Sequence, residues 1–126
     1  DVRQAYLRCV FNVVFHNRDD HPKNFSYLLN QRSAWELAPA YDITFCEGPG
    51  GEHQMDVCGE GRRPAKRHLL QLAQENAIPK EEALRRIDAV LEGVEVMPEL
   101  LMNSDIRKAT AKKLIAQIEE NASRLA

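Results

Sequence analysis

The stretch Phe11-Asn12-Val13-Val14-Phe15-His16-Asn17-Arg18-Asp19-Asp20-His21-Pro22-Lys23-Asn24 decides the fold, because an apolar segment meets a dense polar cluster within it. Upstream of this junction, apolar residues recur at spacings of three and four from Val2 onward. This spacing predicts a helix over residues 2–16 that is buried on most sides. Pro22 cannot continue a helix, so we expect the chain to turn inside the polar cluster.

Downstream of the cluster, the pattern changes from helical to extended and back again. Residues 24–29 and 34–37 predict two short strands of a β-hairpin, joined by a turn at residues 30–33. Residues 38–64 are rich in glycine and proline and predict loops, with one short strand at residues 54–58. Three helices are then predicted, one after each of Pro64 and Pro79 and one capped by Ser104, with Asp105 favouring the dipole of the last. The expected fold class is therefore mainly α with a small β-hairpin insert.

Length and composition indicate an ordinary globular protein. The chain has 126 residues, of which 44% are hydrophobic and 29% charged, so we predict one domain spanning residues 1–126. A net charge of −2 argues against direct nucleic-acid binding. The longest apolar run, residues 9–15, is too short to cross a membrane. Three cysteines form an odd, sparse set, which indicates a reducing cytoplasm and not a disulfide framework.

The polar cluster has the spacing of a phosphoryl-transfer site. Asp19 precedes Asn24 by five residues, as the base precedes the metal-binding asparagine in the catalytic loop of protein kinases. A carboxylate beside the attacking hydroxyl can take its proton, and an amide oxygen is a hard ligand for Mg²⁺. Asp42, in Pro39-Ala40-Tyr41-Asp42 just past the predicted hairpin, is the candidate for the second metal ligand.

These motifs together resemble a known family. Residues 11–14, the cluster at residues 17–25 and Trp35-Glu36-Leu37-Ala38-Pro39-Ala40-Tyr41-Asp42 are similar to the C-terminal helical lobe of HipA-family serine/threonine protein kinases, best known as toxins of bacterial toxin–antitoxin pairs. The resemblance is dense through Asp42 and looser through the segment around Leu69. In the last two helices it extends only to their general helical character.

The resemblance implies a role for each matched residue. Asp19 is similar to the catalytic base, Asn24 and Asp42 to the magnesium ligands, and His21 and Lys23 to residues that shape and support the loop. ATP would then be the phosphoryl donor and a protein the substrate. A DNA-binding antitoxin is a further expected partner, and the last helices could allow self-association.

The chain also departs from the family pattern. Phe15-His16 stand where a small or apolar pair ending in glycine is expected. The chain shows neither a glycine-rich phosphate loop nor a strand-borne nucleotide lysine, since residues 48–51 and 59–61 lack the strand–loop–helix context. We therefore expect a catalytic lobe without its nucleotide-binding lobe, inactive as a kinase by itself.

Two other functional readings remain open. One is a stand-alone, non-enzymatic helical module that binds a protein partner. The other is a metal-dependent hydrolase that uses Asp19, His21, Asn24 and Asp42, although the Asp–Asn spacing favours phosphoryl transfer.

Two further groups of residues carry weaker signals. The spacing of Cys46, His53, Cys58 and His68 fits no common zinc motif. A basic cluster at residues 62–68 stands at a predicted helix start, where cations oppose the dipole, so we expect either acidic side chains or an anionic partner to compensate it.

Overall fold

The computed structural model describes all 126 residues, and four helices make up most of it. These are α1 (Val2–Val14), α2 (Lys66–Glu75), α3 (Lys80–Met102) and α4 (Lys108–Ser123). A two-stranded antiparallel hairpin, β1 (Tyr27–Leu29) and β2 (Trp35–Leu37), lies between α1 and α2 in the chain. The predicted fold class, mainly α with a small hairpin insert, is confirmed.

The hairpin has a fixed register and little burial. Tyr27 pairs with Leu37, and Leu29 pairs with Trp35. Asn30 closes the turn, because its Oδ1 accepts hydrogen bonds from the amides of Arg32 and Ala34 at 2.9 and 3.0 Å. The hairpin is therefore held by its own backbone and by this turn, and most of its side chains are exposed.

One buried core draws on all four helices. α1 contributes Tyr6, Val10, Val13 and Val14, which belong to its apolar stripe, whereas Val2 at the start of that stripe is exposed. The tyrosine hydroxyl donates a hydrogen bond to the Leu69 carbonyl at 3.1 Å and so ties α1 to α2. The other buried apolar residues are Val57, Leu69, Ala73, Ile78, Ala83, Ile87, Val90, Val94, Met97, Ile118 and Leu125.

Three local predictions are wrong. The first strand, predicted over residues 24–29, begins only at Tyr27, because the 3₁₀ turn Pro22–Asn24 takes up its predicted start. The strand expected at residues 54–58 is only an isolated bridge between Val57 and Glu60, because the chain reverses at once through Gly59 at φ 85°. Ser104 does not cap the last helix, which begins four residues later at Lys108. Its hydroxyl instead donates to the Leu101 carbonyl at 2.7 Å and closes the end of α3, since a serine can serve either helix terminus.

Candidate functional site

The polar cluster follows α1 directly and forms a loop, here called the 17–24 loop. His16 ends the helix with a left-handed backbone conformation, φ 59°, which turns the chain sharply. Its carbonyl accepts a hydrogen bond from the Cys46 amide at 2.9 Å, and the Arg18 amide donates to the Cys46 carbonyl at 3.1 Å. The Asn17 amide and side chain both donate to Asn12, at 3.0 Å each. The entry of the 17–24 loop is therefore held on both sides.

Arg18 connects this loop to residues 51 and 62, which lie in the glycine-rich part of the chain between the hairpin and α2. Its guanidinium donates to the carbonyls of Gly51 and Arg62, both at 2.7 Å. Its own carbonyl accepts a hydrogen bond from the Gln54 amide at 3.3 Å. Arg18 therefore has an architectural role that the sequence did not indicate.

Asp19 and Asn24 face each other across the 17–24 loop. Asn24 ends a 3₁₀ turn, Pro22–Asn24, and its Nδ2 donates to the Asp19 carbonyl at 2.8 Å. The Asp19 carboxylate accepts a hydrogen bond from Gln54 Nε2 at 2.5 Å and lies 3.7 Å from His21 Nε2. Only Oδ1 of Asp19 makes these contacts, so Oδ2 and the Asn24 Oδ1 have no partner in the protein.

Asp42 lies on a neighbouring segment. Its backbone is left-handed, φ 52°, and its side chain is exposed without a hydrogen-bond partner. The adjacent Tyr41 hydroxyl donates to the Lys23 carbonyl at 2.7 Å and contacts Ser26 Oγ at 2.6 Å. The segment that carries Asp42 is thereby joined to the 17–24 loop, whereas the Lys23 side chain extends into solvent.

An open cavity of about 190 Å³ lies between α1 and this segment. Asn17, Asp20, Asn24 and Tyr41 are among its lining residues, and Asp42 is not. The structure therefore gathers Asp19, His21 and Asn24 in one loop, whereas Asp42 lies on a second segment that contacts this loop through Tyr41.

Asp20 has a different environment from Asp19. It is almost fully buried, and its Oδ2 accepts a hydrogen bond from His53 Nδ1 at 2.8 Å. Its Oδ1 accepts from the amides of Gln54 and Met55, at 2.8 and 3.3 Å. These three bonds make Asp20 the anchor between the 17–24 loop and the 53–55 segment. An Asp-Asp pair followed by a distant histidine is too common a pattern to have predicted this contact.

The comparison with known protein families gives one match. Residues 1–97 match the model of the HipA-like C-terminal domain, which is more than half of the chain. The chain belongs to this family. None of the curated proteins compared with it matches. The matched range contains the hairpin, the 17–24 loop and Asp42, and it ends within α3.

In this HipA-like C-terminal domain the thiols of Cys9 and Cys58 are not activated. Burial raises the pKa of Cys9 to about 12, and burial together with the nearby Glu75 carboxylate raises the pKa of Cys58. A raised pKa keeps a thiol protonated and weakly nucleophilic. No group of three or more histidine, cysteine, aspartate or glutamate side chains is arranged to hold a metal ion, and this includes the cysteines and histidines considered above for zinc.

The basic cluster at residues 62–68 is compensated inside the domain. Arg62 contacts the Glu52 carboxylate at 2.8 Å, and Arg63 contacts Glu120 at 2.9 Å. Glu60 Oε1 accepts hydrogen bonds from the amides of both arginines, which lower the pKa of that carboxyl. Of the two explanations that the sequence left open, acidic side chains therefore account for these two arginines.

The structure also bears on the expectation that the protein has no membrane segment. None of its helices combines the length and the apolar character that crossing a bilayer requires.

Proposed function

We propose that this HipA-like domain is the C-terminal catalytic lobe of a serine/threonine protein kinase that transfers the γ-phosphate of ATP to a protein hydroxyl. The observation that supports the proposal best is the bond from Asn24 Nδ2 to the Asp19 carbonyl. It holds base and metal ligand in one loop and leaves one acceptor oxygen of each side chain without a partner. Phosphoryl transfer needs these two acceptors close to each other.

Asp19 is proposed as the base. Gln54 and His21 lie against its Oδ1, which orients the carboxylate and leaves Oδ2 free to accept the proton of the substrate hydroxyl. The side chain is 37% exposed, so a protein substrate can reach it. His21 and Lys23 are proposed to support the loop, His21 through its contact with Asp19 and Lys23 through the carbonyl that binds Tyr41.

The donor set fits Mg²⁺. Asn24 offers a neutral amide oxygen and Asp42 a carboxylate, both hard oxygen ligands without competing partners. Magnesium usually takes one or two protein oxygens and completes its shell with phosphates and water, so two ligands are sufficient. Bound Mg²⁺ supplies charge neutralisation on the phosphates of ATP.

The partners follow from the same proposal. The substrate is a protein serine or threonine, and a DNA-binding antitoxin is the proposed regulatory partner of a toxin–antitoxin pair. Self-association through exposed faces of the last helices is a further proposal, as is residence in the cytoplasm.

Metal binding by the 126-residue chain tests the site. We expect Mn²⁺ to broaden the amide NMR signals of Asn24 and Asp42, because both side chains offer an open oxygen, and we expect Asp42→Ala to abolish the effect. Asp105→Ala, which removes another exposed carboxylate, is the matched control and should leave the broadening intact. Absence of any effect at residues 24 and 42 would favour the non-enzymatic binding module.

Phosphoryl transfer is tested in a protein that contains this domain together with a nucleotide-binding lobe. Asp19→Asn should abolish ATP-dependent phosphorylation while leaving Mn²⁺ broadening at residues 24 and 42 unchanged, since Asp19 is not proposed as a ligand. The 126-residue chain alone should transfer no phosphate, because Gly50 and Gly51 lie in the 3₁₀ turn Pro49–Gly51 and not in a phosphate-binding loop. Robust kinase activity of the isolated chain would contradict this expectation.

Hydrolysis of a phosphodiester that is lost in His21→Ala would instead support the hydrolase.

A further inference from the structure

A buried polar cluster joins α4 to the start of the 17–24 loop. Asn121 and His16 are each 1% exposed, and Asn121 Nδ2 contacts His16 Nδ1 at 3.1 Å. The same nitrogen donates to the carbonyl of Val14, the last residue of α1, at 3.1 Å. The sequence separation between the two side chains is 105 residues, so this contact exists only in the folded domain.

The orientation of the Asn121 amide follows from its neighbours. Its Oδ1 accepts hydrogen bonds from Gln117 Nε2 at 3.1 Å and from Arg124 Nη2 at 2.8 Å. A flipped amide would place its oxygen against the Val14 carbonyl and its nitrogen against two donors. Only one orientation therefore satisfies all four contacts.

This orientation determines the tautomer of His16. Because Asn121 Nδ2 is a donor, His16 Nδ1 must be the acceptor and carries no proton. The ring proton is then on Nε2, which donates to the Glu47 carboxylate at 3.0 Å. The ring also stacks on Phe45 with 4.8 Å between centroids. Both edges and one face of the imidazole are thus fixed.

His16 has a φ of 59°, which is of the kind that glycine adopts without strain. Its carbonyl binds the Cys46 amide, and the 17–24 loop starts at the next residue. A side chain held this firmly can keep the backbone in a conformation that a histidine rarely adopts.

We propose that Asn121 is a positioning residue for the 17–24 loop, acting by fixing the tautomer and orientation of His16. α4 lies outside the range that matches the family model, so this chain adds a support to its site from beyond the matched domain. The relevance to catalysis rests on the proposed function, but the contact itself can be tested without ATP or substrate.

The first test is the state of the His16 ring in the 126-residue chain, read by nitrogen-15 NMR of the imidazole. We expect the Nε2–H tautomer and a pKa below the usual value, which burial favours and Glu47 partly opposes, with Arg18 and His53 the other titratable groups nearby. Finding Nδ1–H as the major tautomer would overturn the proposal.

The second test is Asn121→Asp, with Asn103→Asp at an exposed position as the matched control. A carboxylate at position 121 presents an acceptor to Nδ1, so the ring should gain a proton there and its pKa should rise above that of the wild type. Amide exchange at Arg18 and Asn24 should accelerate by about tenfold, because the buried ring then carries a charge and holds the start of the loop less firmly. The control, Asn103→Asp, should change neither the His16 pKa nor the rate of amide exchange.

His16→Gly completes the test by rescue. Glycine adopts the left-handed conformation without support, so Asn121→Asp in that background should no longer accelerate exchange at residues 17–24. Equal acceleration in both backgrounds would show that Asn121 does not act through His16. A changed tautomer or pKa of His16 with unchanged amide exchange in the loop would show the same. If Asn121→Asp does not fold, Glu47→Gln decides instead, since loss of that carboxylate should lower the His16 pKa further while Nε2–H remains the tautomer.

Discussion

At the scale of single residues, the neighbouring aspartates of the 17–24 loop have opposite environments. The Asp19 side chain is 37% exposed and has a free oxygen, whereas the Asp20 side chain is 7% exposed and uses both oxygens to hold His53 and two backbone amides. A free carboxylate can react, while a saturated and buried one can only support.

A pair of substitutions separates these tasks. Asp20→Asn should lower the free energy of unfolding by about 2–3 kcal/mol, because an amide replaces a buried acceptor that receives charge-assisted bonds. Asp19→Asn should change it by less than about 1 kcal/mol, as expected for a half-exposed side chain. Urea denaturation of the 126-residue chain measures both, and equal losses would refute the division of roles.

His16 makes stability depend on pH. Burial lowers the pKa of His16 in the folded state below its usual value of 6.5. Below about pH 6.5 the unfolded chain therefore binds a proton that the folded one resists, and stability falls until the pH passes the folded pKa. One such group changes stability by at most about 1.4 kcal/mol per pH unit.

We expect His16→Asn to flatten this dependence between pH 7 and pH 5, since asparagine tolerates the left-handed conformation and does not titrate. The bond from His16 lowers the pKa of Glu47, so the contribution of that carboxylate is present above its usual value of 4.5 and is lost only as pH falls through the lower folded pKa. Urea denaturation across this range distinguishes the contribution of His16 to stability from that of Glu47. An unchanged slope in His16→Asn would assign the pH dependence to other groups.

At the scale of elements, the 3₁₀ turn Pro49–Gly51 is a support for Arg18, whose guanidinium reaches the Gly51 carbonyl. Gly48 precedes this turn with φ 73°, and a Cβ there would overlap the Glu52 carbonyl oxygen and approach Arg18 Cβ to 2.7 Å. Gly50 has a similar φ of 67°, but a Cβ there would meet nothing within 4 Å. Both glycines therefore have a backbone conformation that disfavours a side chain, but only Gly48 lacks room for a Cβ atom.

Alanine at each position tests which requirement matters more. Gly50→Ala should cost about 1 kcal/mol from backbone strain alone. Gly48→Ala should cost at least about 2 kcal/mol more, because the backbone of residues 48–52 must shift and Arg18 with it. Thermal unfolding compares them, and similar transition temperatures would mean that the turn is free to move away from Arg18.

At the scale of the whole molecule, the core extends past the part that matches the family model. Ile118 is 4% exposed and Leu125 is fully buried, and both belong to the cluster that contains the apolar stripe of α1. The helix that carries Asn121 is therefore held in place by packing as well as by polar contacts.

Ile118→Ala should cost about 2–4 kcal/mol through lost burial and a residual cavity. Ile106→Ala is the matched control and should cost less than about 1 kcal/mol, because Ile106 is 40% exposed. The sequence placed both isoleucines in one helical stripe. Ile118 lies in α4, whereas Ile106 lies before the helix begins. Comparable losses in chemical denaturation would show that the 104–107 segment packs more tightly than its exposure indicates.

The sequence by itself determined the helices, the hairpin, the 17–24 loop and the family, because apolar spacing, proline positions and short motifs are local properties. It proposed Asp19, His21, Lys23, Asn24 and Asp42 for the site on the same local basis, and their roles remain predictions. Only the tertiary structure decided that Asp20 binds His53, that Arg18 binds the Gly51 carbonyl and that Asn121 contacts His16. Hydrogen-bond partners separated by 33 to 105 residues are chosen by how the helices pack, and no local pattern encodes that choice.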